Sequence, residues 1–144
     1  MDGATLAVAS HAGVLHVTLN RPAARNAMSL RMVDELAAVL AQAEAAGDVR
    51  AIVLRGAGGH FCAGADLQDM ARARQREMTG DPDAIAQVNA RFGALCGAFA
   101  RTGIATIAVL EGTVMGGGLG LACVVDVALA GQGAQLRLDR KSVV

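Results

Sequence analysis

An α/β fold, in which strands and helices alternate along the chain, is predicted by three features of the sequence. The run AIVLR at 51–55 is short, apolar and rich in branched residues, which is typical of a strand covered on both faces. Apolar residues recur at helical spacing between Ser29 and Gly47. Glycine-rich stretches follow the predicted strands. With 144 residues, 53% of them hydrophobic, the chain is expected to form one domain over residues 1–144.

The chain begins with a predicted hairpin. Strands are expected at 4–9 and 14–19, joined by a turn around His11–Gly13, because LHVTL alternates like a half-buried strand. Pro22 ends the second strand, since proline cannot donate to a ladder and restricts the residue before it.

The first helix is predicted to start after Ser29, a suitable N-cap, and to close at Gly47. Its apolar stripe comprises Met32, Val33, Leu36, Ala37, Leu40 and Ala43. The later elements are a helix from near Asp66 to the TGDPD break at 79–83, a helix over 84–101 with Ile85, Val88, Phe92, Leu95 and Phe99 on one stripe, a strand at 105–112, a short glycine-rich helix, and a strand at 124–130.

Composition and charge exclude several classes of function. Thirteen basic and thirteen acidic side chains give a net charge of zero, so neither a nucleic-acid partner nor a membrane surface is expected. The apolar region 103–130 is interrupted by Glu111 and Asp126 and predicts buried core rather than a membrane span. Three cysteines, an odd number, and an N-terminus without signal-peptide character favour a reducing, cytoplasmic location.

Two glycine-rich segments, GAGGHFCAGADL at 56–67 and EGTVMGGGLGLAC at 111–123, are the candidate functional sites. Each follows a predicted strand and opens a predicted helix, where the first backbone N–H groups lack intrahelical acceptors. A pair of such N–H groups can hold a developing oxyanion without a charged side chain. Neither segment has the spacing of a dinucleotide-binding GxGxxG or of a Walker loop, so phosphate-loop chemistry is disfavoured.

Over nearly the whole chain, HFCAGADL, EGTVMGGGLGLACVVDVALA and NRPAARNAMS resemble the crotonase family, the enoyl-CoA hydratase/isomerase group. The resemblance implies a spiral of ββα units, here its N-terminal part only, in a family that is usually trimeric. It also implies an acyl-CoA thioester as ligand, bound in a two-amide oxyanion hole, with no separate cofactor and no metal. GTVMGGGLGLAC is most similar to hydratases of branched glutaconyl-CoA substrates, such as the isohexenylglutaconyl-CoA hydratases of acyclic terpene breakdown.

Carried onto this sequence, the resemblance assigns the oxyanion donors to the backbone N–H groups of Ala65 and Gly117. The implied substrate-binding residues are Ala63, Asp66 and Leu67 on the coenzyme A side and Ala24, Arg25 and Ala27 toward the nucleotide.

The sequence departs from the family at the proton-transfer residues. Hydratases with two catalytic glutamates place the first at the position of Gly120 and the second at the position of Arg140, one residue beyond Asp139. Neither glycine nor arginine can serve as the carboxylate, and the chain stops before the later turns of the spiral. Two hypotheses follow: a chain of hydratase lineage acting on a conjugated enoyl-CoA, and a truncated or degenerate homologue that binds thioesters weakly or packs with a partner.

Other reactive side chains have plain structural alternatives. Asp66 is at least as well explained as a helix-start carboxylate, and Arg25 is as well explained as a solvated loop residue. His60, an isolated histidine, is expected to be structural or exposed. Cys62 is expected to be an inert small hydrophobe, because spacing identifies no histidine or carboxylate partner for it. Glu111 is a spare carboxylate at a position that the family does not use.

Overall fold

Strands and helices alternate in the computed structural model, which describes residues 4–138. The α/β prediction is confirmed. The strands are β1 (Leu6–His11), β2 (Val14–Leu19), β3 (Ala51–Gly56), β4 (Ala105–Leu110), β5 (Thr113–Met115), β6 (Val127–Ala130) and β7 (Gln135–Arg137). The helices are α1 (Leu30–Ala46), α2 (Leu67–Met78), α3 (Ala84–Arg101) and α4 (Gly117–Val124), with 3₁₀ turns at Pro22–Ala24 and Ala57–Gly59.

The larger sheet has five strands in the order β1-β2-β3-β4-β6. The predicted hairpin is present: β1 and β2 are antiparallel, His11 pairs with Val14, and the two loop residues Ala12 and Gly13 both have positive φ. β2, β3, β4 and β6 are parallel neighbours. Their connections are long, because a parallel pair needs a crossover rather than a tight turn.

A second, smaller sheet runs beside the first. β5 pairs with β7 in parallel, Cys62 bridges Val114, and Met28 bridges Ala65. The chain therefore visits both sheets in turn: after β2, β3, β4 and β6 of the large sheet it enters an extended segment of the small one. In the first three turns a helix or helix pair follows that segment. This repetition is the predicted spiral of ββα units.

One face of the large sheet forms the core with α1 and α3. Leu19, Leu54 and Leu110 are almost fully buried in one cluster with Met32 and Phe99. The predicted first helix is confirmed at both ends. The Ser29 hydroxyl accepts a hydrogen bond from the Met32 N–H, and Gly47 closes the helix at a φ of 73°.

Three strand predictions need correction, and one strand was missed. The first strand, predicted at 4–9, is Leu6–His11. The strand predicted at 105–112 ends at Leu110, and after a bend the chain starts β5 in the other sheet. The strand predicted from 124 begins at Val127, because α4 continues through Val124. β7 was not predicted as a strand.

No helix among residues 4–138 is both long enough and apolar enough to cross a membrane. Apolar side chains are nevertheless exposed on the last two strands. Val127 is 48% exposed and Leu129 57% on β6, which is an edge strand of the described sheet, and Leu136 is 48% exposed on β7. Exposed apolar side chains on an unpaired strand edge favour association between chains.

We predict that the chain is oligomeric or poorly soluble in isolation. Size-exclusion chromatography with light scattering should give a mass above that of the monomer, and Val127→Lys with Leu129→Lys should shift it toward the monomer because charges on an edge strand oppose pairing. Val8→Lys, on the opposite edge strand, is the matched control. A clean monomer of the unmodified chain that melts cooperatively would contradict the prediction.

Candidate functional site

The candidate site is built on three extended segments that lie side by side. The middle segment, 61–66, is held on one side by residues 25–28: the Ala63 N–H donates to the Arg25 carbonyl at 3.0 Å, and the Met28 N–H donates to the Gly64 carbonyl at 2.7 Å. On its other side lies β5. There the Cys62 N–H donates to the Thr113 carbonyl, and the Met115 N–H donates to the Cys62 carbonyl, both at 3.0 Å.

The orientation of the Ala65 N–H follows from this pairing. In the parallel bridge between Met28 and Ala65, the hydrogen bonds are made by the Gly64 carbonyl and the Asp66 N–H. Ala65 therefore directs its own N–H away from Met28, toward the side on which β5 lies. β5 ends at Met115, so no strand continues beside Ala65 there. Within residues 4–138, the Ala65 N–H has no backbone acceptor.

The chain leaves β5 through a sharp bend at Gly116 and starts α4 at Gly117. Gly116 has φ 50° and ψ −118°, a conformation that only glycine adopts readily. Gly64 faces this bend with a φ of 97°, and a Cβ there would lie 3.2 Å from the Met115 carbonyl oxygen. Glycine at both positions thus lets the two backbones touch. The Gly117 N–H belongs to the first turn of α4 and has no backbone acceptor in the described chain.

Two cavities meet at Ala65 and Gly117. The first, which we call the helix cavity, has a volume of about 270 Å³ and lies among α1, α2 and α3. The second, the loop cavity, has a volume of about 580 Å³ and lies against residues 21–27 and 63–68. The residues that line both cavities are Ala65, Asp66, Met70, Gly116 and Gly117. Both predicted amide donors therefore border both cavities.

The loop cavity also gathers most of the predicted substrate-binding residues. Its lining includes Ala24, Ala27, Ala63, Asp66 and Leu67. Arg25 is not among the lining residues: its backbone has a φ of 48°, its side chain is exposed, and its carbonyl supports Ala63. The arginine that does line the cavity is Arg21, which sequence reasoning did not assign.

Asp66 is the N-cap of α2. Its Oδ1 accepts hydrogen bonds from the N–H groups of Gln68 at 2.9 Å and Asp69 at 3.0 Å, and its Oδ2 lies 2.9 Å from Arg21. Burial acts to raise the pKa of this carboxyl, but the two N–H donors and the Arg21 guanidinium outweigh it, so the pKa is lowered. The helix-start interpretation of Asp66 accounts for the two N–H contacts, and the ion pair joins the start of α2 to Arg21 in the loop after β2.

Asp69 is a second carboxylate that lines the helix cavity. Its Oδ2 accepts a hydrogen bond from the Leu30 N–H at 2.8 Å, which ties α2 to the start of α1, and its Oδ1 lies 3.4 Å from Arg72. Both carboxylates at the cavity therefore hold backbone or arginine groups in place. The Glu111 side chain is exposed and lines neither cavity.

Of the two positions at which the family places its catalytic glutamates, the structure describes only the first, Gly120. Gly120 lies inside α4, where a Cβ would be 3.4 Å from the Phe92 ring. Arg140 and Asp139 lie outside the described residues.

His60 and Cys62, at the start of the middle segment, have structural contacts. His60 Nδ1 accepts a hydrogen bond from the Thr113 N–H at 3.0 Å, so it fixes the start of β5. Cys62 is fully buried, and burial raises the pKa of its thiol to about 11, which keeps it protonated at neutral pH. A Cβ on Gly118 would lie 2.6 Å from that of Cys62, so α4 packs directly on this segment. Among residues 4–138, no cluster of three metal-ligating side chains is found.

A spiral that adds a strand to each of two sheets per turn, with glycine bends facing one cavity, is the crotonase fold. The enoyl-CoA hydratase/isomerase family model matches residues 9–142, and the chain belongs to that family. The family prediction is confirmed.

Individual relatives agree with this assignment. The chain is 36% identical to "Probable enoyl-CoA hydratase EchA14" of Mycobacterium tuberculosis over 133 residues, which is 92% of this chain and 48% of that protein. The structure of Pseudomonas aeruginosa AtuE is 50% identical, with a TM-score of 0.89, over 96% of this chain and 52% of that one. An enoyl-CoA hydratase/isomerase from Marinobacter aquaeolei is 44% identical, with a TM-score of 0.85, over 92% and 50%. The chain thus spans about half the length of the relatives it matches.

Substitutions of Asp66 test how much its capping of α2 contributes to the stability of the fold. Asp66→Ala should lower the free energy of unfolding at neutral pH by about 1 kcal/mol through loss of the cap. Asp66→Asn keeps a capping oxygen and should cost less. Because the folded pKa of Asp66 is lowered, its charge stabilises fully above its unfolded pKa of about 3.9 and progressively less as pH falls through the folded value.

Urea unfolding from neutral to acid pH measures this contribution. The gap in unfolding free energy between the unmodified chain and Asp66→Asn should therefore narrow as the pH is lowered into the acid range. The same gap at every pH would show that the charge of Asp66 contributes nothing.

Proposed function

We propose that the chain binds an acyl-CoA thioester with its carbonyl oxygen between the backbone N–H groups of Ala65 and Gly117, and that its lineage chemistry is the hydration of a conjugated enoyl-CoA. The observation that carries this proposal is the convergence of two unpaired amides on one pair of cavities. The Ala65 N–H has no acceptor because the bridge to Met28 directs it away from that residue. The Gly117 N–H has none because it lies in the first turn of α4, where no preceding helical carbonyl is available.

The chemistry needs such donors. Addition of water across the α,β double bond passes through an enolate-like species whose negative charge collects on the thioester oxygen. Two fixed N–H groups stabilise that charge without reorganising, and loss of one typically lowers turnover by about 10²–10³-fold. The α4 dipole adds in the same direction, because its positive end is at Gly117.

The coenzyme is part of the substrate in this proposal, and the loop cavity is its binding surface. Ala24, Ala27 and Ala63 offer small side chains that let a ligand approach the backbone. The acyl group would then enter the helix cavity, whose lining includes Met28, Val33 and Met70. The branched glutaconyl-CoA subgroup stays a prediction from the GTVMGGGLGLAC segment.

A second candidate function is binding of the thioester without catalysis. The observation that favours it is the lack of a free carboxylate at the helix cavity among the residues that the structure describes. General acid-base catalysis needs a carboxylate or similar group within reach of the acyl carbons. Of the acidic residues at the helix cavity, Asp66 caps α2 and Asp69 holds Leu30, while Gly120 has no side chain. The described residues thus supply an anion site without a spare base.

One pair of measurements separates the two candidates. Calorimetry with butanoyl-CoA, which cannot be hydrated, reports binding, and loss of the conjugated-thioester absorbance of crotonyl-CoA reports hydration. Binding with hydration supports the hydratase, and binding without it supports the non-catalytic homologue. Failure to bind any thioester, by a chain that is folded by circular dichroism, would overturn both.

The role of Gly117 can be tested by removing its donor. Gly117→Pro eliminates the N–H at the first position of α4, where proline is tolerated, and Gly117→Ala keeps the N–H as the matched control. The readout is the preference for butanoyl-CoA over S-butyl-CoA, a thioether without the carbonyl. Proline should reduce that preference about fivefold, the value of a hydrogen bond of about 1 kcal/mol.

The affinity for S-butyl-CoA should change little in either variant. An unchanged affinity would indicate that the surface that binds the coenzyme is intact. If the folded proline variant retains the full thioester preference, Gly117 is not a donor to the carbonyl. In a chain with measurable turnover, the same variant should also lose about 10²–10³-fold in rate.

A further inference from the structure

Phe92 differs from the other two phenylalanines of the chain. Phe61 and Phe99 are 0% and 3% exposed and belong to the core. Phe92, on α3, is only partly buried and lines the helix cavity. Nothing in the proposed oxyanion chemistry requires an aromatic ring at this place.

The ring of Phe92 lies against α4 next to the proposed oxyanion site. A Cβ on Gly117 would be 3.4 Å from Phe92 Cζ, and a Cβ on Gly120 would be 3.4 Å from the same atom and from Cε1. Two glycines one helical turn apart therefore leave a flat surface on which the ring rests. A Cβ at that distance would make ordinary van der Waals contact with the ring, so alanine fits at either position and only a longer side chain would displace the ring.

The backbone that carries the ring is anchored on both sides of Phe92. Leu95 and Phe99, three and seven residues further along α3, are buried in the core, and Arg91 forms an ion pair with Asp34 of α1. The helix cavity holds about 270 Å³, which is about nine times the volume per molecule of liquid water. Phe92 forms part of the wall of that space, so loss of its ring would enlarge the cavity.

We propose that Phe92 is the specificity-determining residue for the acyl group, and that its ring limits the bulk allowed near the α and β carbons of the thioester. This inference rests on the proposed function, because a carbonyl oxygen bound to the Gly117 N–H places the α and β carbons two and three bonds from that oxygen, within reach of the ring. The ring acts on the width of the acyl group close to the carbonyl.

The test compares saturated thioesters that cannot react. Calorimetry gives the ratio of the affinities for 3,3-dimethylbutanoyl-CoA and butanoyl-CoA, which differ by two methyl groups on the β carbon. The variants are Phe92→Ala and Phe92→Leu, with Phe99→Leu as a control that loses a ring from the same helix outside the cavity. Free CoA and S-butyl-CoA report the coenzyme surface.

Phe92→Ala should shift the ratio at least tenfold toward the branched thioester, because each newly buried methyl group is worth about fourfold in affinity. Phe92→Leu should shift it in the same direction by a smaller factor, and it decides the matter if the alanine variant is unfolded. Phe99→Leu should lower the melting temperature and leave the ratio unchanged.

Two results would overturn the inference, and they are distinguishable. If the chain and its variants bind butanoyl-CoA but the ratio does not move in the Phe92 variants, the inference is wrong and the proposed function stands. If no thioester binds better than S-butyl-CoA even to the unmodified chain, the proposed function fails, and the role of Phe92 fails with it.

Discussion

The close approach of two backbone bends, at Gly64 and Gly116, is the constraint on which the site depends. A Cβ on Gly116 would be 3.7 Å from the Gly64 Cα, and Gly64 itself adopts a φ of 97°. A side chain at either position would be strained by the positive φ, and a Cβ on Gly64 would also press on the Met115 carbonyl oxygen at 3.2 Å. Without that approach, the Ala65 and Gly117 amides would border different surfaces. The glycine content of these segments is thus explained by geometry before any ligand is considered.

Buried polar contacts hold the bends in place. Asn26 is fully buried, and its Nδ2 donates to the carbonyls of Ala57 at 2.9 Å and His60 at 2.7 Å, while its Oδ1 accepts from the Arg21 N–H at 2.8 Å. Each such bond contributes about 1 kcal/mol, and leaving a buried partner unpaired costs more. Asn26 thereby joins the loop after β2 to the loop after β3. Since His60 also holds Thr113, one chain of contacts links the first three turns of the spiral.

The sequence predicted correctly those elements whose ends carry a recognisable capping or terminating residue. The Ser29 cap and the Gly47 termination define α1 within the chain itself, and the structure has both. The strand predicted at 105–112 was too long, because Glu111 and Gly112 were counted as its end although they form a bend. The bend is at Gly112, which has a φ of 53° and would meet the Gly59 carbonyl oxygen at 2.3 Å if it had a Cβ. Its necessity depends on a neighbour more than fifty residues away.

In the candidate site, too, the residues in local motifs were predicted and those placed by helix packing were missed. The resemblance of two glycine-rich segments assigned Ala65 and Gly117, and the structure brings both to the same cavities. Arg21, Asp69 and Phe92 were missed, because their positions depend on how α1, α2 and α3 pack rather than on spacing. The helical stripe did include Phe92, but periodicity cannot separate a ring in the core from one at a cavity wall.

The central claim is that the Ala65 and Gly117 amides hold one oxygen atom. Nitrogen-15 correlation spectra of the chain titrated with butanoyl-CoA, against S-butyl-CoA as reference, test it most directly. The account predicts that both amide protons move downfield together with the thioester and not with the thioether, following the same binding curve. A downfield shift of only one of them, or of neither at saturation, would contradict it.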